Sequence, residues 1–368
     1  MAINVGTIFS GIGAPEQALL QLNISHNIVF ACDNGERKLK TSVSDVENMI
    51  NKCSTNLEKN SIITTLYKNE CSENFVETTY KANYKVDENS YYQDVRFLDG
   101  TEYTNKIDLL VGGSPCQSFS IMGKRKGLEE ARGTLFYEYA RIVSEVKPKV
   151  FIYENVTGML NHDNGNTWKI ISSIFDELGY VWKYYILNSK DFGIPQNRRR
   201  IFVVGYKKKY KGLFKNLEDP KTIKLETTLE DYLDEEIPNK YYLPEKGFNR
   251  VTNPGEIKHV SLNGKIARCQ VACQQYNWFG DMRFETSIPK RVLDDERIYK
   301  GYYNGKYGVA RCLTPRECLR LMGFSESFKI KVPDMQMYRQ VGNSISVNVL
   351  KEILKCIFKT EIFGSVKI

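Results

Sequence analysis

The segment Gly112-Gly113-Ser114-Pro115-Cys116-Gln117-Ser118-Phe119-Ser120 carries the most chemistry in this chain. It follows the apolar run 107–111, which reads as a buried strand. The thiol therefore falls just past a strand's carboxyl end, the edge at which open α/β sheets bind ligands. Spacing tests three thiol chemistries. Disulfide exchange wants a second cysteine three residues on, where Phe119 stands. Zinc-dependent base deamination wants Pro-Cys-x-x-Cys with His-x-Glu, and neither is present. A cysteine hydrolase wants a histidine base, but His26, His162 and His259 sit in no persuasive context. What remains is an inert loop thiol or a nucleophilic cysteine that needs no histidine.

Other groups fall on the same expected edge. Glu154 closes the apolar run 150–153, where partial desolvation raises a carboxyl toward a proton donor. Arg198 and Arg200 lead into the strand 201–205, and alternation puts them on one side, able to hold a phosphate, a carboxylate or a base oxygen. Gly11, Ile12 and Gly13 form a glycine turn between strand 5–9 and a helix with Pro15 in its first turn. A dinucleotide fingerprint would place glycine at position 16, where Glu16 opposes a pyrophosphate. A cofactor without phosphates fits better, and S-adenosylmethionine is one. Asp33, ending a second strand at 27–31, is placed to accept ribose hydroxyls, and Asp94, after a third short strand, the adenine amino group. Helix capping or a turn explains either aspartate equally well in isolation.

The elements that must position these groups alternate strand and helix through residue 205, which argues for a mostly parallel sheet with helices on both faces. Residues 36–75 are polar and read as a solvated insertion, a helical pair. Residues 206–305 are rich in Tyr, Lys, Gly and Pro and read as loop-rich. Thr314, Pro315 and Glu317 mark a capped helix start. The stretch 344–358 reads as an amphipathic final helix.

The 368 residues allow two domains, and the net charge of +8, from 52 basic and 44 acidic residues, fits a polyanionic partner without requiring one. Nine scattered cysteines and no leader-like opening imply a reducing, cytoplasmic setting. No run is long and apolar enough to span a membrane. Cys269, Cys273 and His259 lack an evident fourth ligand, so no metal is expected.

Taken in order, Phe9-Ser10-Gly11-Ile12-Gly13, Asp33, Asp94, Pro115-Cys116-Gln117, Arg132-Gly133-Thr134-Leu135-Phe136, Glu154-Asn155-Val156, Gln196-x-Arg198-x-Arg200, Leu313-Thr314-Pro315-Arg316-Glu317 and Gln340-Val341-Gly342-Asn343-Ser344 resemble the C5-cytosine-specific DNA methyltransferases of bacterial restriction-modification systems. The blocks span nearly the whole chain.

That resemblance implies an α/β, Rossmann-like methyltransferase fold and a chemistry. Cys116 adds to C6 of cytosine, Glu154 protonates N3, Arg200 binds the base oxygen with Arg198 close by, and C5 takes the methyl of S-adenosylmethionine, leaving S-adenosylhomocysteine. It implies that the target cytosine in duplex DNA is flipped out. It implies cofactor contacts from Phe9, Gly11, Ile12, Gly13, Asp33, Asn34, Asp94, Val95, Gly113, Ser114, Leu135, Asn343 and Ser344, the last two at the start of the final helix. Residues 117–127 would form a mobile loop over the base, with Gln117, Ser120, Lys124, Arg125 and Lys126 on DNA and Met122 filling the vacated stack. The large domain would comprise 1–205 plus 334–368, and 206–333 would form a target-recognition domain. There Gln274, Gln275, Asn277 and Arg283, on exposed loops, are the candidate base readers. The expected setting is a cytoplasmic enzyme, nucleoid-associated through DNA, monomeric on double-stranded DNA and paired with a cognate restriction endonuclease. A tRNA-modifying branch and a silent DNA-binding homologue are the competing readings.

Overall fold

The computed structural model describes residues 2–115, 135–256 and 259–364. The first compact unit, Met1–Leu187 with Arg199–Lys221 and Leu350–Ile368, holds the expected alternation. In chain order come β1 (Ile3–Ile8), α1 (Ala14–Gln21), β2 (His26–Cys32), α2 (Val43–Ile50), α3 (Asn56–Glu70), α4 (Phe75–Asn83), β3 (Tyr91–Tyr92), β4 (Leu109–Gly112), α5 (Leu135–Val146), β5 (Val150–Val156), α6 (Asn166–Glu177), β6 (Tyr180–Asn188) and β7 (Arg199–Lys207). Among the described residues the strands make a seven-stranded sheet in the order β3-β2-β1-β4-β5-β7-β6. The pairs linking β1 through β5 are parallel, and β7 runs antiparallel to β5.

Because β1 lies between β2 and β4, the chain moves outward from β1 to β3 and then returns to β4 on the other side. Such a reversal opens a crevice at the carboxyl ends of the two central strands. The sheet is fixed against α5, whose Phe136, Tyr139, Ala140 and Val143 recur at helical spacing and are all fully buried. Phe151 of β5 stacks on Phe175 of α6 with ring centroids 5.4 Å apart, and Tyr139 meets Tyr153 at 4.8 Å. Strand β6 was not read from the sequence; it lies at the sheet's edge, Lys183 interrupts its apolar residues, and most of its side chains are partly exposed.

The polar segment 36–75 is the expected helical pair, with a small core of its own. Val46, Ile50, Ile63, Tyr67 and Phe97 pack together there. Helix α3 starts on a reciprocal cap between Thr55 and Glu58, a Thr-x-x-Glu signal already present in the sequence.

The second compact unit is Asn188–Arg198 with Thr222–Val349. It is more regular than its loop-like composition suggests. Among the described residues, strands β8 (Val260–Leu262), β9 (Gly280–Glu285), β10 (Lys300–Tyr303) and β11 (Lys306–Cys312) form a four-stranded sheet in the order β10-β11-β9-β8. Phe248, Val260, Met282, Phe284 and Ala310 pack in its core. The helix Pro315–Leu321 begins as expected, with Thr314 and Glu317 capping each other. Glu317 also pairs with buried Arg311 at 2.9 Å.

Glu16, read from the sequence as a charge at the entrance of α1, is fully buried instead. The Thr7 hydroxyl donates to it at 3.1 Å and Tyr80 of α4 donates to the same oxygen. Burial pushes its carboxyl above the ordinary range, with the Tyr80 bond acting in opposition. The folded state thus holds this proton more tightly than the unfolded chain. The resulting stabilisation is complete below the ordinary glutamate pKa and is lost as pH rises through the folded value. Glu16→Gln is expected to be more stable relative to wild type at pH 8 than at pH 4. Urea unfolding at both pH values checks this, and a difference independent of pH would contradict it.

Candidate active site

The loop after β1 turns in left-handed backbone at Phe9 (φ 53°), Gly11 (φ 52°) and Gly13 (φ 75°). Such a backbone at a bulky aromatic is costly and concentrates at functional sites. A side chain at Gly13 would strike the Tyr84 ring at 2.1 Å, whereas one at Gly11 would meet nothing within 4 Å. The turn is therefore packed on one side and open on the other. Asp33, just past β2, accepts the Gly11 N–H on one carboxylate oxygen at 2.9 Å and the Gly35 N–H on the other at 2.8 Å. Burial raises its pKa, and those two N–H groups oppose the rise. Each oxygen retains a lone pair for a further donor. Open space over Gly11 beside a half-buried acid suits the glycine-turn and ribose requirements of a nucleoside cofactor without phosphates.

Asp94 lies just past β3 and caps a short turn by accepting the Arg96 N–H at 3.1 Å. The Arg96 guanidinium donates to it at 3.0 Å and the Tyr67 hydroxyl at 2.7 Å. Val95 beside it is buried, and Asn34 is half-buried.

At the end of β4 the geometry tightens. A Cβ at Gly112 would lie 2.6 Å from the Ile8 carbonyl, and one at Gly113 would lie 2.8 Å from the Glu154 carbonyl and 3.0 Å from its carboxylate. Only glycine lets β4 pass this close. Asn155 donates to the Ser114 carbonyl and to the Tyr153 hydroxyl, both at 2.8 Å, and Tyr153 also bonds the Ser114 hydroxyl at 2.8 Å. The backbone entering Pro115 is thus pinned from β5. Sequence reasoning gave Asn155 no such role; the signal was its place next to Glu154.

Glu154 lies within β5 rather than beyond it, opposite Phe202 of β7, while Arg200 lies opposite Val156. Residues diagonal by two on neighbouring strands share a face. The Arg200 Nε accordingly lies 3.3 Å from the Glu154 carboxylate, both side chains largely buried.

Several expectations need correction. Arg198 does not share a face with Arg200, because β7 begins only at Arg199. Its guanidinium is buried in the second unit, donating to the carbonyls of Gln270 at 2.8 Å, Gly342 at 3.1 Å and Ser344 at 2.6 Å. Gln274, Gln275 and Arg283 are 2%, 2% and 7% exposed, so they are not on an exposed loop surface. Gln274 accepts the Val271 N–H, Gln275 accepts the Leu313 N–H, and Arg283 pairs with Glu230 at 3.0 Å. These amides replace the regular ladder that the 268–280 segment lacks. Asn277 is exposed as expected. Asn343 and Ser344 do not start the final helix. Asn343 ends the helix Asp334–Asn343, Ser344 caps it, and the final helix is Val347–Lys359. Leu135 opens α5 and is half-buried. Cys116, Gln117, Ser120, Met122, Lys124, Arg125 and Lys126 lie outside the described residues.

No helix among the described residues is long and apolar enough to cross a membrane. Residues 42–359 match the model of the family described as C-5 cytosine-specific DNA methylase. The Type II methyltransferase M.SsoII of Shigella sonnei is 36% identical over 292 residues, covering 78% of this chain and 72% of that protein. The Type II methyltransferase M.HhaI of Haemophilus parahaemolyticus is 35% identical over 272 residues, covering 67% and 74%. A DNMT2 mutant from Spodoptera frugiperda has a similar fold, with a TM-score of 0.67 at 19% identity over 97% of this chain and 100% of that one.

Proposed function

The chain belongs to the C-5 cytosine-specific DNA methylase family, and from that premise we propose that it methylates C5 of a flipped-out cytosine in a specific duplex sequence through a covalent Cys116–C6 adduct. The observation that carries the reading is the Glu154–Arg200 pair at 3.3 Å, set against Gly113 three residues ahead of Cys116 in the chain.

Cytosine C5 is a poor nucleophile. Addition of the Cys116 thiolate to C6, with a proton passing from the Glu154 carboxyl to N3, moves an electron pair onto C5 as an enamine carbon. Arg200, paired with Glu154, would hold the base oxygen. Asn155 and Tyr153 fix the backbone that delivers the thiol. S-adenosylmethionine, when bound, would supply the electrophilic methyl group that C5 accepts, with S-adenosylhomocysteine as the leaving group. A base acting through water then takes the C5 proton, the electron pair of that bond forms C5=C6 and expels the thiolate, and N3 returns its proton to Glu154. Phe9, Gly11, Asp33, Asn34, Asp94 and Val95 are the residues that would hold the cofactor's nucleoside.

Residues 206–333 are assigned to target recognition, with exposed Asn277 as the remaining base-reading candidate of the 273–283 stretch. The Type II names of the relatives support pairing with a cognate endonuclease. Bisulfite sequencing of DNA from cells expressing the chain should show 5-methylcytosine at one recurring site. Methyl transfer to tRNA with none to duplex DNA would overturn the reading. Glu154→Gln is expected to cut methylation by about 10²–10⁴-fold while leaving DNA affinity largely intact, and equal losses in rate and DNA affinity would contradict its assigned role.

A further inference from the structure

The insertion at 36–75 is tied to both acids assigned to the cofactor. Tyr67 of α3 is almost fully buried, and its hydroxyl donates to the Asp94 carboxylate at 2.7 Å. Burial and the Asp94 charge push its pKa upward, so the phenol keeps its proton and remains a donor. Arg37 lies over the Tyr67 ring, 4.6 Å from its centroid. It donates to the Asn34 carbonyl at 2.8 Å, to the Ser72 carbonyl at 3.1 Å and to Gln93. Asn74 donates to the Asp33 carbonyl at 2.9 Å and to Gln93 at 3.1 Å. Asn60 donates to the Tyr91 carbonyl on β3 at 3.1 Å. A loosely attached surface insertion would not place buried polar side chains against both strand ends.

We propose that the insertion is an integral wall of the nucleoside pocket and that Tyr67 is a positioning residue, holding the Asp94 carboxylate toward the cofactor's adenine amino group. The inference rests on the cofactor reading above. Asp94 is shared between Arg96 and Tyr67. Arg96 reaches both Asp94 oxygens, and the Tyr67 hydroxyl adds a second anchor on Oδ2 from α3, so the carboxylate is held from two sides. Removing one hydrogen bond to a charged group releases that constraint while the ring still fills the small core.

The test is Tyr67→Phe in the full chain, with isothermal titration by S-adenosylmethionine and by its analogue whose purine lacks the 6-amino group. The expected result is about tenfold weaker binding of S-adenosylmethionine, with the loss appearing in KM for the cofactor rather than in kcat. The analogue should bind the variant and wild type alike. In an Asp94→Asn background, Tyr67→Phe should add nothing further. Equal weakening toward both ligands, an additive loss with Asp94→Asn, or an unchanged affinity would overturn the proposal. Failure of wild type to bind S-adenosylmethionine would instead overturn the cofactor reading beneath it.

Discussion

Cys116→Ser is expected to lower methyl transfer by at least about four orders of magnitude while DNA and cofactor affinities stay close to wild type. A cysteine thiol is intrinsically far more nucleophilic than a serine hydroxyl, which needs an adjacent base to act. No histidine stands near it in sequence to supply one, since His26, His162 and His259 are all remote along the chain. The serine variant should therefore retain the Glu154–Arg200 pair and the pinned Ser114 backbone yet leave C5 unactivated. Duplex DNA carrying 5-fluorocytosine at the methylated site separates this from simple misfolding. The fluorine at C5 cannot leave as a proton does, so wild type should accumulate a covalent complex that survives denaturing electrophoresis, and the serine variant should form none while still shifting DNA in a native gel. A serine variant that methylates at a tenth of the wild-type rate would remove covalent catalysis from the scheme. A wild type that forms no adduct yet methylates would do the same.

What the sequence disclosed and what it hid have physical causes. The parallel strands were legible because burial on both faces forces near-continuous apolar runs such as 107–111, interrupted only by Asp108, and the helix at Thr314 was legible because its cap is chemically explicit. Edge strand β6 was not, because half of it faces water. Asp33 and Glu154 could be placed from the sequence because strand ends fix their neighbourhood. Their partners could not be read from local spacing. Asn155 reaches back 41 residues to Ser114, and Tyr67 reaches 27 residues to Asp94. The amides at 274 and 275 misled for a related reason. A polar residue in a segment without apolar periodicity looks exposed, but an irregular buried segment needs polar side chains to satisfy the backbone groups that no ladder pairs. Glu16 misled in the same direction, since nothing nearby in the sequence announces Tyr80.

The two arginines of Gln196-Asn197-Arg198-Arg199-Arg200 provide the sharpest test of that distinction, since by sequence they looked like one functional pair. Arg198 holds three backbone carbonyls of the second unit, at Gln270, Gly342 and Ser344, and is itself buried. Arg198→Met keeps most of the side-chain volume and removes every donor. Leaving buried carbonyls unpaired costs about 1–3 kcal/mol each when no water replaces the donor, so a loss of about 3–5 kcal/mol is expected. Gln196 anchors the same segment by donating to the Leu321 carbonyl and accepting the Gln270 N–H, so the damage should stay within the second unit. Amide hydrogen exchange should accelerate around 268–275 and 340–346 before it does in β1, β4 and β5. Arg200→Met should differ in its effect on catalysis. Its side chain is paired with Glu154 at the sheet's carboxyl edge, both largely buried, so stability should fall by about 3 kcal/mol here too, but kcat measured on the folded enzyme should fall by about 10²–10³-fold, a loss that Arg198→Met should not share. Urea unfolding with parallel rate measurements resolves the two cases. If Arg198→Met unfolds like wild type but loses catalysis as Arg200→Met does, Arg198 belongs with the reacting groups after all, and the buried contacts that set it apart have been misjudged.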